Sequence, residues 1–485
     1  MSRPPNFLIF MTDQQRGDTA PPVLRAPAPN LARFAGEGIA FSRAYCPSPH
    51  CCPSRASFFS GLFPSEHGVW NNVDVGNALS RGLYDGVRLF SEDLRDAGYD
   101  LHYSGKWHVS ALETPVDRGW RMTRPPKPVM TREEAGRPRP FEWKQYEKLP
   151  PTPRTRGDGE ILRPGYGTYT HYGERENPFG DEEVVADGAS VLRERKKGGD
   201  PWCQFIGPVG PHDPYFVPPR FLDLIDPKSI ELPASFADAM ADKPALYRKT
   251  RSRFDQLTPR EHREAIRHYL AFCAYEDHLF GEVLRALAES GQEEETVVLY
   301  LSDHGDYMAE HGLWCKGLPS FRSAYHIPAL LRHPGKIRDP GRVVDRFVSL
   351  ADFAPTILEL ADLPRARRFA GESLVPFLEG RPSPRWRDAW FTQSNGNELY
   401  GIQRTVTTEK WRYVYNGFDE DELYDLEADP GECRNLARDP ACAPVIKACS
   451  KRLWTFAHEN QDTCVNRYIM VAHAPMGPGL AFGEA

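Results

Sequence analysis

The sequence predicts an α/β fold, with a large, mainly parallel sheet between helices followed by a smaller C-terminal α+β lobe built on an antiparallel sheet. Three observations point there. The chain has 485 residues, 40% hydrophobic, 12% aromatic and 26% charged, a composition of a folded protein large enough for one big lobe and an appended one. Apolar runs that stop at polar clusters alternate with helical patterns through roughly the first 350 residues, as a mainly parallel sheet reads. From about Ala389 the pattern changes to short strand signals separated by turn residues. The expected division is the large lobe over residues 1–385 and a subdomain with a tail over 386–485.

The first strand is Asn6 to Thr12, an uninterrupted apolar run that ends at Asp13. A short amphipathic helix carries Leu89, Leu94 and Ala97 and is stopped by Gly98, and a strand runs from Tyr99 to Tyr103. Residues from about 123 to 165 form an insertion too rich in proline for regular structure, a loop of the kind that covers a site or an oligomer contact. Trp202 to Ile206 and Thr296 to Leu301 are further buried strands. Between them a long packing helix spans about Arg260 to Leu287, with Ile266, Leu270, Cys273, Leu279, Val283 and Leu287 at helical spacing. Trp390 to Thr392, Trp411 to Tyr415 and Glu422 to Asp425 supply the C-terminal strands. The tail from Tyr468 to Ala485 is too irregular to fold alone and is assigned to a contact with another subunit, in a homo-oligomer (dimer or tetramer).

Charge and apolar patterning exclude several classes. The net charge of −7 is spread in both signs, which leaves no footprint for nucleic acid. No apolar run approaches the ~20 residues of a spanning helix, and the N-terminal run is too short for a signal-peptide core, so the expected location is cytoplasmic with no membrane partner. Ten cysteines show neither paired metal spacing nor the density of a disulfide scaffold.

In open α/β sheets ligands collect outside the carboxyl ends of the strands. The residues past those ends here are Asp13-Gln14, Lys106-Trp107-His108, His212-Asp213 and Asp303-His304. Two carboxylates, an amide oxygen and an imidazole suit one divalent cation. The sharpest segment is Cys51-Cys52-Pro53-Ser54-Arg55-Ala56-Ser57-Phe58-Phe59-Ser60-Gly61. Pro53 suits a first helical turn and Gly61 a stop, which puts Cys51 at a helix N-terminus where N–H groups and the dipole favour an anion. Arg55, one turn in, aims a guanidinium at the same place. This is a layout for an oxyanion substrate.

Cys51-x-Pro53-Ser54-Arg55 with Gly61 resembles the signature of the type I sulfatases of the alkaline phosphatase superfamily. Asp13, Gly105-Lys106-Trp107-His108, His212, Asp303-His304-Gly305 and Lys316 follow in that family's order. Asp352-Phe353-Ala354-Pro355-Thr356 and Glu422-Leu423-Tyr424-Asp425-Leu426 are similar to its later motifs. The resemblance implies an alkaline phosphatase-like α/β/α sandwich and hydrolysis of sulfate esters. It further implies oxidation of Cys51 to formylglycine (3-oxoalanine) by a formylglycine-generating enzyme, the aldehyde hydrate then being the nucleophile. Cys52 is out of register with the motif. By the same resemblance Asp13, Gln14, Asp303, His304 and position 51 hold the metal ion; Arg55, Lys106 and Lys316 neutralise substrate oxygens; His108 assists proton removal from the hydrate; and His212 protonates the leaving oxygen.

Two departures matter. Many sulfatases carry Asp-Asp and Asp-Asn where this chain has Asp13-Gln14 and Asp303-His304, which moves the expectation for the one divalent ion (manganese, calcium or magnesium) from calcium towards manganese, magnesium or another borderline metal. The same pairs resemble the phosphonate monoester and phosphodiester hydrolases of the superfamily, and Asn72 is the candidate for their additional substrate contact. Sulfate-ester hydrolysis is the leading expectation, a phosphorus-ester hydrolase with the same nucleophile the nearest alternative, and an inactive anion-binding relative the alternative from another class.

Overall fold

The computed structural model describes residues 4–136, 155–163, 167–381, 385–466, 468 and 476–479. Its strands, in chain order, begin with β1 (Asn6–Thr12), β2 (Ile39–Tyr45) and β3 (Asp100–Gly105). The short strands β4 (Glu160–Arg163), β5 (Gly167–Thr170) and β6 (Tyr172–Glu174) follow, then β7 (Trp202–Gly207) and β8 (Tyr215–Val217). Next come β9 (Thr296–Ser302), β10 (Ala329–Arg332) and β11 (Arg342–Ser349), and last β12 (Trp390–Gly396), β13 (Tyr400–Thr407), β14 (Trp411–Asn416) and β15 (Glu422–Asp425).

The large sheet has seven strands in the order β11-β2-β10-β9-β1-β7-β3. All pairings are parallel except those of β10, which runs antiparallel to β2 and β9. β1 shows why both faces must be covered: Phe7, Ile9 and Met11 enter one core and Leu8 and Phe10 the other, the period-2 alternation of a strand. Helices Cys51–Ser60, Phe90–Asp96 and Phe353–Leu360 lie on the first face; Pro29–Glu37, Asp181–Glu194 and the long helix Pro259–Glu289 lie on the second. This is the expected three-layer sandwich.

The C-terminal sheet is an antiparallel meander, β12-β13-β14-β15, backed by helix Ala443–Glu459 through Ile446, Cys449 and Leu453. It docks on the large lobe where the Gln393 N–H reaches the Pro47 carbonyl at 2.9 Å. The described cysteines are all free thiols, seven of them buried.

Several boundaries differ from expectation. The strand expected from Tyr99 is β3 and begins at Asp100, because Tyr99 still closes the preceding turn through its N–H to the Leu94 carbonyl. The Pro-rich segment is not free of regular structure: helix Arg132–Ala135 and strand β4 occupy its two ends, where a Thr131 cap and pairing with β5 satisfy the backbone. Its middle, residues 137–154, lies outside the described residues, as does most of the tail assigned to a subunit contact. Within that tail the Met476 carbonyl accepts the Trp454 indole N–H at 2.7 Å, which ties this point to the chain's own C-terminal helix. Among the described residues no helix is long and apolar enough to cross a membrane.

Candidate functional site

The site is an outcome of strand order. β9, β1, β7 and β3 are neighbours, and β1 pairs with β9 in register up to Thr12 opposite Ser302, so Asp13 and Asp303 leave the sheet side by side. One strand over, β7 ends at Gly207 and leads to His212, and β3 ends at Gly105 and leads to Lys106. β2 supplies the fifth component, because the chain after it enters helix Cys51–Ser60.

That helix is buried along its whole length. Pro53 sits in its first turn and Gly61 ends it at φ 74°, the left-handed stop for which glycine is suited. Cys51 Sγ lies 3.3 Å from His304 Nε2 and 3.7 Å from Asp13 Oδ1. Ser54 Oγ, one turn on, donates to the Asp303 carbonyl and clamps the helix to the end of β9. Arg55 is fully buried: Nε meets Asp303 Oδ2 at 2.8 Å, one terminal nitrogen meets the Lys106 carbonyl at 2.9 Å, and the other stands 3.5 Å from Asp13 without a hydrogen-bond acceptor.

Asp13, Cys51, Asp303 and His304 each offer a donor atom within 4.8 Å of the others, a group that could hold a metal ion. Asp303 Oδ1 is oriented by the N–H groups of Gln14 at 3.1 Å and His304 at 2.9 Å. The Gly305 carbonyl takes the Nδ1–H of His304 at 2.9 Å, which leaves Nε2 as the lone pair facing the group. Gln14 stands beside it at φ 67°, its amide oxygen accepting from Lys316 and its amide nitrogen donating to Asp306 at 2.6 Å. Left-handed backbone at Gln14, His108 (53°) and Cys315 (63°) is strain concentrated at the site.

Charge is concentrated here too. Burial alone would push the Cys51 thiol up, but Lys106, Lys316 and His304 outweigh it and hold the thiol well below its ordinary value. Asp13 is likewise pushed up by burial and by Cys51, yet Lys106, His212 and Arg55 bring it below the usual carboxylate range. The Lys106 ammonium sits directly on Asp13.

On the open side, Lys316 Nζ lies 2.6 Å from His212 Nε2, and His212 Nδ1 contacts the Asp213 carbonyl at 2.6 Å. His108 pairs through Nε2 with Asp74 at 3.1 Å. Asn72 accepts the Cys52 N–H at 3.2 Å, so it faces the start of helix Cys51–Ser60. Asn72, His212, Asp213 and Lys316 border a cleft of about 1300 Å³ whose walls also include His50, Tyr169 and Asn397.

The structure therefore brings every sequence-selected residue to one place. It also adds residues that sequence reasoning missed. Asp306 takes Gln14 and the Tyr215 hydroxyl, each at 2.6 Å, and burial pushes it up to about 6. Its position three residues beyond Asp303 was the available signal. Asn397, at the β12–β13 turn, accepts the Asn72 N–H at 3.1 Å, and nothing local marks it. A separate Asp238, His311 and Cys433 group already contains the Lys243 ammonium, 3.0 Å from Asp238.

Comparison with known proteins agrees with this geometry. The family model "Sulfatase" matches residues 5–363, and the C-terminal model of N-sulphoglucosamine sulphohydrolase matches residues 309–459. Choline-sulfatase of Rhizobium meliloti (strain 1021) is 30% identical over 92% of this chain and 84% of its own, and arylsulfatase K of Danio rerio is 28% identical over 89% and 80%. The crystal structure of the phosphonate monoester hydrolase of Agrobacterium radiobacter superposes with a TM-score of 0.75 at 23% identity, covering 96% of this chain and 98% of that one. With its buried Cys51 helix, four strand-end motifs and matches over most of its length, the chain belongs to the sulfatase family of ester hydrolases.

Proposed function

We propose that this protein hydrolyses sulfate monoesters through a formylglycine made from Cys51 by a formylglycine-generating enzyme. The supporting observation is the place of Cys51 Sγ, at a buried helix N-terminus 3.3 Å from His304 and 3.7 Å from Asp13 and ringed by positive charge. Its sulfur stands where an oxygen of the aldehyde hydrate would be. Asp13, Asp303 and His304 would hold one divalent cation with position 51, and the preset Nε2 lone pair of His304 fits that role. When bound, such an ion supplies Lewis-acid charge to acidify the hydrate and attract substrate oxygens; one imidazole among few carboxylates favours manganese or magnesium over calcium.

The chain's own residues do the rest. The unpaired guanidinium nitrogen of Arg55 and the ammonium groups of Lys106 and Lys316 converge on the space beside Cys51 and take up charge on the sulfuryl oxygens. Asp74 orients His108 for removal of the second hydrate proton, the step that expels sulfate and restores the aldehyde. His212 and Lys316, in hydrogen-bond contact, hold the proton for the leaving oxygen, an assistance worth about 10²–10⁴-fold.

Asp13-Gln14 and Asp303-His304 favour a second reading, a phosphonate monoester or phosphodiester hydrolase with the same nucleophile. Rates on an aryl sulfate, an aryl phosphonate monoester and a phosphodiester, measured on protein made with the converting enzyme, separate the two. A higher kcat/KM on sulfate is expected, and a large preference for the phosphorus esters overturns the first reading. Mass spectrometry of the tryptic peptide Ala44 to Arg55 is expected to show conversion at Cys51 alone. An intact thiol with no turnover would leave the anion-binding relative as the description.

A further inference from the structure

We infer that Asp181 and Glu276 are positioning residues for this reaction, a buried carboxyl pair in which Asp181 fixes the loop carrying His212 by gripping two successive main-chain N–H groups and Glu276 braces Asp181. The inference rests on the reading of His212 as the group that serves the leaving oxygen.

Asp181 is the first residue of helix Asp181–Glu194, and its side chain points back over the end of β7. One carboxylate oxygen accepts the Val209 N–H at 2.7 Å and the other the Gly210 N–H at 2.9 Å. Both functional branches hang from this grip: the Gly210 carbonyl accepts the Asp13 N–H at 3.1 Å, and the Val209 carbonyl accepts the His212 N–H at 3.1 Å. β1, paired with β9 up to Thr12, holds Asp13 in place, and the Asp181 grip sets where His212 stands relative to it.

Glu276 reaches the same spot from the long helix and is completely buried. Neither of its oxygens receives a hydrogen bond from a conventional donor, and it meets Asp181 at Gly210, whose N–H is bound by the Asp181 carboxylate. It lies so close to the loop that a Cβ at residue 210 would fall 2.1 Å from Glu276 Oε1 and 2.4 Å from the Phe272 ring, so a glycine fits there. Two facing carboxyls in a dry site cannot both ionise. Asp181 already serves two N–H donors and must be the acceptor, so the proton belongs to Glu276, which donates it to Asp181. Burial and then the Asp181 charge push Glu276 well above its ordinary range, in agreement with that assignment.

The two acids are thus predicted to respond oppositely to amide substitution. Gln at 276 reproduces a neutral donor, whereas Asn at 181 presents an N–H to an N–H and releases the loop. The experiment compares Asp181→Asn, Glu276→Gln and His212→Ala in protein with position 51 converted and metal supplied. The substrates are an alkyl sulfate, whose leaving oxygen needs a proton, and a nitrophenyl sulfate, whose leaving oxygen does not. Expected are a loss in kcat of about 10²-fold on the alkyl ester for Asp181→Asn with a much smaller loss on the nitrophenyl ester, and activity within about threefold of the parent for Glu276→Gln. Equal losses on both esters, or no loss, for Asp181→Asn while His212→Ala discriminates between them overturns the inference alone. If His212→Ala fails to discriminate, the reading of His212 falls and the inference with it. A Glu276→Gln enzyme as impaired as Asp181→Asn overturns the proton assignment.

Discussion

Arg55 uses three directions of one guanidinium, towards Asp303, the Lys106 carbonyl and the space beside Asp13. A lysine has one point charge and can serve one of these. Arg55→Lys is therefore expected to lower kcat/KM by about 10²-fold or more, with the loss shared between kcat and KM because the guanidinium also positions Asp303; a variant within threefold of the parent would remove Arg55 from oxyanion binding. At this scale the sequence was most informative where chemistry is packed into a short segment. Cys51 and Arg55 sit one helical turn apart, so their register survives folding unchanged. The contact of Lys316 with His212 and the hold of Asn397 on Asn72 were not legible, because each joins residues more than a hundred positions apart that no local pattern relates.

Helix Cys51–Ser60 shows how local rules set an element. Gly61 ends it in left-handed conformation, and a Cβ there would meet Phe369 at 2.5 Å. Gly61→Ala is expected to destabilise the fold by about 1–2 kcal/mol from the backbone alone, read as a lower midpoint of denaturant unfolding. Gly36→Ala, inside helix Pro29–Glu37 with nothing within 4 Å of the added carbon, should leave it equal or higher. If the two variants unfold alike, the capping argument fails. Long buried strands and the long helix were legible from apolar runs and helical period. β2, β10, β11 and β13 were not singled out: β11 mixes charged residues into its run, and β10 has only four residues. The antiparallel entry of β10 between β2 and β9 is a sheet-level choice that no strand announces.

For the whole molecule, buried neutral histidines tie stability to pH. His67 and His171 are both fully buried, and burial lowers each from 6.5 to about 3. The neutral form is the folded one, so the stability they contribute is complete above the unfolded value of 6.5 and is lost as pH falls towards 3. Each such site removes about 2 kcal/mol by pH 5. Thermal midpoints of the metal-free protein are expected to fall between pH 6.5 and 4, and His171→Phe, enclosed by Tyr215, Phe254 and Trp314, should flatten that fall. An unchanged slope would place the acid sensitivity elsewhere. The sequence by itself determined the fold class, the helix that begins at Cys51 and the set of candidate residues past the strand ends, because apolar periodicity, caps and a five-residue motif act over a few ångströms of chain. Only the tertiary structure decided which strand ends are neighbours, and hence that Asp13, Asp303, His304 and Cys51 share one group while Lys106, His212 and Lys316 close around it. Strand order is chosen by the burial of two whole faces at once, and that energy belongs to the assembled sheet and to no segment of it.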